Sequence, residues 1–242
     1  MKTVLITGSA RGIGAATAAL FADSGYNVVI NYNTSKAEAS ALCNMLKENG
    51  CGVITVRADV SKADEVDFLF SEVEKAFGGV DILVNNAGIA QQKLFTDITM
   101  QDYDKMFDCN VKSVFNCCQR ALPHMIHNKY GRIINISSMW GVAGASCEVH
   151  YSASKAAVIG MTKALAREVA PSGITVNCIA PGVIDTPMNK GFDSETMDCL
   201  KDETPVGRIG SPEEVAKAVK FFAERDSGFI TGQILGVDGG FI

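Results

Sequence analysis

Short apolar runs rich in Val and Ile alternate with longer amphipathic stretches along all 242 residues of the chain. The runs are Thr3–Thr7, Asn27–Asn31, Val53–Arg57, Asp81–Asn85, Arg132–Ser137, Thr175–Ala180 and Leu235–Val237. Most are continuously apolar without alternation, which is the pattern of strands covered on both faces. Between them, apolar positions recur at helical spacing over Ile13–Asp23, Lys36–Asn49, Lys62–Phe77, Met100–His127, Tyr151–Ala170 and Pro212–Ala223. Ser211-Pro212-Glu213-Glu214 is a helix start, with Ser at the N-cap, Pro at N1 and Glu at N3. The alternation predicts right-handed crossovers and an α/β fold, a doubly wound seven-stranded parallel sheet with helices on both faces. No repeat, low-complexity tract or Pro/Gly-rich linker divides the chain, so residues 1–242 are expected to form one domain. A sheet of this kind binds ligands at the carboxyl ends of its strands, where the strand order reverses.

Composition adds mainly exclusions. With 47% hydrophobic and 20% charged residues the chain has ample material for a large core. A net charge of −5 argues against a binder of nucleic-acid backbone. No run approaches 18 uninterrupted apolar residues, so no membrane span is expected. The apolar run Val4-Leu5-Ile6 is too short for a secretory segment. The eight cysteines form no C-x-x-C pair and several lie inside apolar patterns, which fits free thiols in a reducing cytoplasm and no zinc site. His124 and His127 lack a third ligand nearby and are read as surface histidines, so no metal is expected.

The first strand runs into Thr7-Gly8-Ser9-Ala10-Arg11-Gly12-Ile13-Gly14 and then a helix. In that setting Gly8 permits the tight turn, Gly12 the close approach of a diphosphate, and Gly14 the packing of helix on strand. The free N–H groups of the helix start favour the negative charge. This predicts a dinucleotide cofactor. After the second strand comes Asn31-Tyr32-Asn33-Thr34-Ser35-Lys36, and the first acid is Glu38. Binders of NAD usually place an acid there for the ribose 2′-hydroxyl. Its absence, with Arg11 and Lys36 nearby, favours NADP(H).

Ser138 lies just past the fifth strand, and Tyr151-Ser152-Ala153-Ser154-Lys155 opens a helix thirteen residues later. The i,i+4 spacing stacks Tyr151 and Lys155 on one face. Reduction of a carbonyl needs hydride and a proton for the developing alkoxide. A phenol of pKa near 10 is a poor proton source at neutral pH. An ammonium at ~4 Å contributes about 4 kcal/mol at an effective dielectric near 20, roughly three pKa units, so Tyr151 is expected near 7. Ser138 would hold the substrate oxygen.

On these motifs the chain resembles the short-chain dehydrogenase/reductase family over essentially its whole length. The match includes the glycine loop, Asp59-Val60 after the third strand, Asn85-Asn86-Ala87-Gly88 after the fourth, and Asn110 in a long helix. It continues through Ser138, Tyr151, Lys155, Pro181-Gly182 and Val237-Asp238-Gly239-Gly240. The resemblance implies a Rossmann fold and a catalytic set of Asn110, Ser138, Tyr151 and Lys155. It implies cofactor contacts at Gly8, Ser9, Arg11, Gly12, Ile13, Gly14, Asn31, Tyr32, Asn33, Asp59, Val60, Asn86, Ala87, Gly88, Tyr151, Lys155, Pro181, Gly182, Val183 and Thr186. Within those, Asp59 would meet the adenine, Asn86 steady the cofactor segment, Lys155 grip the ribose, and Val183 and Thr186 meet the carboxamide. Asn110 would hold a water in a proton relay to Lys155. The family also suggests a homotetramer built on the Met100–His127 and Tyr151–Ala170 helices.

Within the family the chain is similar to the 3-oxoacyl-carrier-protein reductases, whose partner is acyl carrier protein. The two basic docking positions of that subgroup correspond to Lys129 and Ser172, so one is missing here. The segment from Ser137-Ser138-Met139-Trp140-Gly141 through Glu148-Val149 is similar to reductases of the aminopentanone modification on elongation factor P. Trp140 and Glu148 are thus candidate substrate contacts, against the alternatives of a packing residue and a solvated loop acid. The substrate is expected to be a small or protein-attached ketone. A non-catalytic NADP sensor or scaffold is the reading from another class, disfavoured by the presence of both Tyr151 and Lys155.

Overall fold

Thr3-Val4-Leu5-Ile6 offers four consecutive side chains that are all buried, and it seeds the centre of the sheet. The computed structural model, which describes residues 1–189, 191 and 193–242, has seven strands. They are β1 (Thr3–Ile6), β2 (Asn27–Tyr32), β3 (Val53–Arg57), β4 (Ile82–Asn85), β5 (Gly131–Ile136), β6 (Ile174–Pro181) and β7 (Ile234–Val237). All pairings are parallel, in the order β3-β2-β1-β4-β5-β6-β7. The order reverses between β1 and β4, so the chains leaving those two strands part and open a cleft at their carboxyl ends.

Successive residues of each strand serve opposite cores. Val4, Ile6, Val28, Ile30, Ile82 and Val84 face one core, and Leu5, Val29, Leu83 and Ile133 the other. The first is closed by Phe21 of α1 (Gly12–Asp23), Leu46 of α2 (Lys36–Glu48) and Phe222 of α9 (Pro212–Ala223). The second is closed by Phe70 of α3 (Ala63–Phe77), Met125 of α5 (Ser113–His127) and Val158 of α7 (Val149–Val169). Each such side chain contributes about 1.5–3 kcal/mol of transfer free energy. Burial on both faces explains the continuous apolar runs.

The structure departs from the sequence expectation at three places. Met100–His127 is not one helix but α4 (Met100–Phe107), a wide π-type turn over Asp108–Lys112, and α5. The turn contains Asn110, whose Oδ1 accepts from Ile89 N–H at 2.8 Å and whose Nδ2 donates to the Ile89 carbonyl at 2.9 Å. Widened turns of this type recur at functional sites. The loop after β5 contains a one-turn helix, α6 (Trp140–Ala143), packed so closely on α7 that a Cβ on Gly141 would lie 2.8 Å from the Lys155 backbone. A further helix, α8 (Ser194–Glu203), has no buried residue, which is why apolar periodicity does not announce it. The start of α9 is as expected: Glu214 accepts the Ser211 N–H at 2.9 Å.

Candidate active site

Gly8 and Gly12 have φ of +61° and +56°, a region that strains residues with a Cβ. A Cβ on Gly8 would fall 2.9 Å from Ala87 Cα, so the glycine loop is pressed against the segment after β4. Thr7 Oγ1 accepts the N–H groups of Asn86 and Ala87, both at 3.0 Å. Asn86 Nδ2 returns bonds to the carbonyls of Thr7 at 2.9 Å and Gly8 at 3.1 Å. The N-cap residue of α1, Arg11, makes no side-chain cap bond, and the first turn of α1 has no acid. The orphan N–H groups of α1 are therefore available to an anion.

Gly8, Arg11, Gly12 and Ile13 line a cleft of about 1780 Å³ with Tyr32, Asn33, Asp59, Asn86, Ala87 and Gly88. Its far end is lined by Ser138, Trp140, Glu148, Tyr151, Lys155, Pro181, Gly182, Val183 and Thr186. Ser9, Gly14, Asn31, Val60 and Asn110, grouped with these by sequence, lie behind the lining. Asn31 is 1% exposed: its Oδ1 accepts the Gly8 N–H at 3.2 Å and its Nδ2 donates to the carbonyls of Val56 and Ala58. It holds the loop from beneath. Ser9 Oγ donates to the Ile6 carbonyl at 2.8 Å, Gly14 packs on Ser9 and Asn86, and Val60 lies in the core. Asp59 lines the cleft while its Oδ1 accepts from Ser61 N–H at 3.1 Å and Ser61 Oγ at 2.7 Å.

One cation near the cleft was not anticipated. The register that sets Tyr32 beside Arg57 lets the Arg57 guanidinium donate to the Asn33 carbonyl at 3.4 Å and to Asn33 Oδ1 at 3.3 Å. Only sheet pairing reveals this; nothing local in the sequence does.

Ser138, Tyr151 and Lys155 come together, all less than a tenth exposed. The Ser138 hydroxyl accepts the Trp140 N–H at 3.2 Å. Lys155 Nζ donates to the Ile136 carbonyl at 3.0 Å and lies 5.8 Å from the centre of the Tyr151 ring. A Cβ on Gly88 would sit 3.2 Å from Lys155 Nζ and 3.1 Å from Asn110 Oδ1, so this backbone runs close against both side chains. Asn110 Nδ2 also donates to Ser154 Oγ at 3.0 Å. Burial pushes the Tyr151 phenol up to about 12; a hydrogen bond with Ser138 opposes the rise and Glu148 adds to it. Burial also brings Lys155 down to about 8. The expected phenol near 7 is thus not what this geometry gives. The ammonium turns to the Ile136 carbonyl, and loss of water around the phenol outweighs its field. Tyr151 is held protonated.

Glu148 is a buried acid in the cleft wall, not a solvated one. Its Oε1 accepts from Gln92 Nε2 at 3.2 Å, and burial raises its carboxyl above the usual range, with the Gln92 bond opposing. Beside it His150 Nε2 lies 2.9 Å from Gln91 Oε1, Gln91 donates to Asp102, and Asp102 pairs with Lys93 at 2.7 Å. Gln91 and Gln92 were missed because their partners are more than 50 positions away. Positions 129 and 172 lie together at the amino ends of β5 and β6, opposite the cleft, where Gly173 packs on the Lys129 carbonyl. Among the described residues no group of three or more His, Cys, Asp or Glu is placed to hold a metal, and no helix is long and apolar enough to cross a membrane.

Comparison with known proteins identifies similar chains over nearly the whole length. The sequence profile of a family described as enoyl-(acyl carrier protein) reductase matches residues 8–242. The 3-oxoacyl-acyl-carrier-protein reductase FabG of Staphylococcus aureus is 42% identical over 239 residues, covering 99% of this chain and 97% of that protein. The enzyme of that name from Chlamydia muridarum is 41% identical over 243 residues, 99% of this chain and 96% of its own. A 3-oxoacyl-acyl-carrier-protein reductase of Synechocystis is 41% identical over 242 residues, 100% of this chain and 97% of its own.

Proposed function

The chain belongs to the short-chain dehydrogenase/reductase family, oxidoreductases acting on CH–OH and C=O groups, and on that premise we propose that it reduces a 3-oxoacyl thioester with NADPH. The observation that carries this reading is the convergence of Ser138, Tyr151 and Lys155 in the cleft that also holds the glycine loop. The free N–H groups at the start of α1, with Gly12 lining the cleft beside them, fit a diphosphate. Arg11 and Asn33 line the cleft and fit a 2′-phosphate, with no acid to repel it from Asn31 to Lys36; Arg57, behind Asn33, shares its charge with Glu65 at 3.5 Å. Asp59 would take the adenine, Lys155 the ribose, and Val183 and Thr186 the carboxamide. When bound, the dinucleotide supplies hydride.

The residues of the chain manage the oxygen. Ser138, which accepts the Trp140 backbone N–H and is hydrogen-bonded to Tyr151, turns its proton to the ketone oxygen when that oxygen enters between the two hydroxyls. Tyr151, protonated, is the second donor and gives up its proton as the alkoxide forms. The Lys155 ammonium stabilises the phenolate left behind. Two donors on one oxygen suit C=O reduction better than C=C reduction. The test is NADPH oxidation with an acetoacetyl thioester and, separately, a crotonyl thioester. Turnover of the first alone is expected; turnover of the crotonyl compound alone would move the chain to C=C chemistry.

One observation favours a second reading. A neutral acyl chain has no use for a buried carboxylate in the cleft wall, and only Lys129 of the two docking positions is basic. Glu148 suits a ketone that carries an amine, as in the aminopentanone on elongation factor P. An exposed ion pair is worth about 1 kcal/mol or less, and closure of the cleft would increase it. Reduction of the modified factor, lost in Glu148→Gln, would support this reading. Acetoacetyl carrier protein turnover insensitive to Glu148→Gln, with none of the modified factor, would exclude it.

A further inference from the structure

Val237 O accepts the Gly182 N–H at 3.0 Å, which brings the residues after β7 alongside the cleft. The next five residues are a built structure. The Asp238 carboxylate accepts the Gly240 N–H at 3.0 Å and the Ile242 N–H at 3.4 Å, folding the segment back on itself. Gly239 and Gly240 have φ of +68° and +82°, and a Cβ on Gly239 would fall 2.6 Å from Val206 Cγ2, so this turn is fitted between neighbours. The turn sets the Phe241 ring edge-on to Trp140, with centroids 5.6 Å apart and planes at 90°. Trp140 lines the cleft and its N–H is held by the Ser138 hydroxyl.

We propose that Phe241 is a positioning residue for ketone binding, acting through Trp140 on the cleft wall and on the Ser138 hydroxyl. The proposal rests on the reading of this cleft as a ketone site. Phe241 is not itself among the residues lining the cleft. Its effect is to hold one rotamer of the indole on the cleft wall and to brace the short helix α6, whose Trp140 backbone N–H donates to the Ser138 hydroxyl. Edge-on aromatic pairs lie at this separation and shift equilibria by about two- to tenfold. Removing the ring should therefore weaken ketone binding and leave the glycine loop and the adenine side of the dinucleotide site, at the other end of the cleft, as they are.

Trp140 is the only tryptophan of the chain, so its emission reports this contact directly. Phe241→Ala, Phe241→Tyr and wild type are compared in Trp140 emission maximum and anisotropy, in NADPH affinity, and in kcat and KM for acetoacetyl thioester. Phe241→Ala is expected to red-shift the emission, lower its anisotropy and raise KM about three- to tenfold. NADPH affinity should stay within about twofold, and Phe241→Tyr, which keeps the edge contact, should restore both emission and KM. Unchanged emission, or changed emission with unchanged KM, overturns the proposal. If Phe241→Ala fails to fold, Phe241→Leu gives the same comparison, since it fills space without an aromatic edge. A chain that reduces no ketone in its wild-type form but shows the emission shift would defeat the functional reading and leave the contact intact.

Discussion

At the scale of single residues, the proposed function gives the proton transfer to Tyr151 and its pH range to Lys155. Tyr151→Phe is expected to lose about 10²–10⁴-fold in kcat, the usual contribution of a general acid. NADPH affinity, measured by titration, should hardly change, because the phenol gives a proton and little binding energy. Retention of more than about a tenth of wild-type kcat would mean that another group donates. The pH dependence follows from the directions of the two shifts. Burial brings Lys155 down to about 8, so its ammonium is present below that pH and lost as pH rises through it. Tyr151, pushed up to about 12, stays protonated across the same range. The kcat/KM for ketone reduction should fall as pH rises from 7 to 9, and a profile still rising over that interval would contradict this assignment. The i,i+4 spacing of Tyr151 and Lys155 made the pair legible from sequence. Their protonation was not legible, since it depends on burial and on the Ile136 carbonyl that competes for the ammonium.

Elements show where pattern reading succeeds and where it stops. The strands were legible because most are apolar on both faces, and the glycine loop because its position after β1 gives the spacing a purpose. The break in Met100–His127 was not: both halves keep helical periodicity, and the widened turn exists because Asn110 is bonded to Ile89, 21 positions away. For the same reason the bonds by which Asn110 clamps the segment beside Lys155 leave no trace in the sequence. Asn110→Ala leaves the Ile89 N–H and carbonyl without these partners. It is expected to cost about 1–3 kcal/mol of stability, read from urea denaturation, together with a fall in kcat. Unchanged stability would show that the turn is held by something else. Arg57 with Asn33 and Gln92 with Glu148 escaped for one physical cause, that each contact is made by sheet register or loop packing and leaves no local pattern.

The whole molecule leaves exposed Phe68, Tyr103, Phe115 and Ile126 on the side of the sheet carrying α3, α4 and α5. This fits the homotetramer suggested by the family resemblance, with α4, α5 and α7 as its contact faces. Light scattering is expected to give about four times the chain mass, and Phe115→Asp to give smaller species; a monomer in the wild type would refute the assembly. The cleft, by contrast, is complete within one chain as far as the Ser138, Tyr151 and Lys155 cluster is concerned. In the proposed function this cleft pairs a 2′-phosphorylated dinucleotide with a ketone. The most direct measurement is kcat/KM for acetoacetyl thioester reduction with NADPH and with NADH under the same conditions. Reduction is expected with at least a tenfold preference for NADPH, about 1.4 kcal/mol, from Arg11 and the absence of acid between Asn31 and Lys36. Equal use of the two cofactors, better use of NADH, or no reduction of the ketone by either would contradict it.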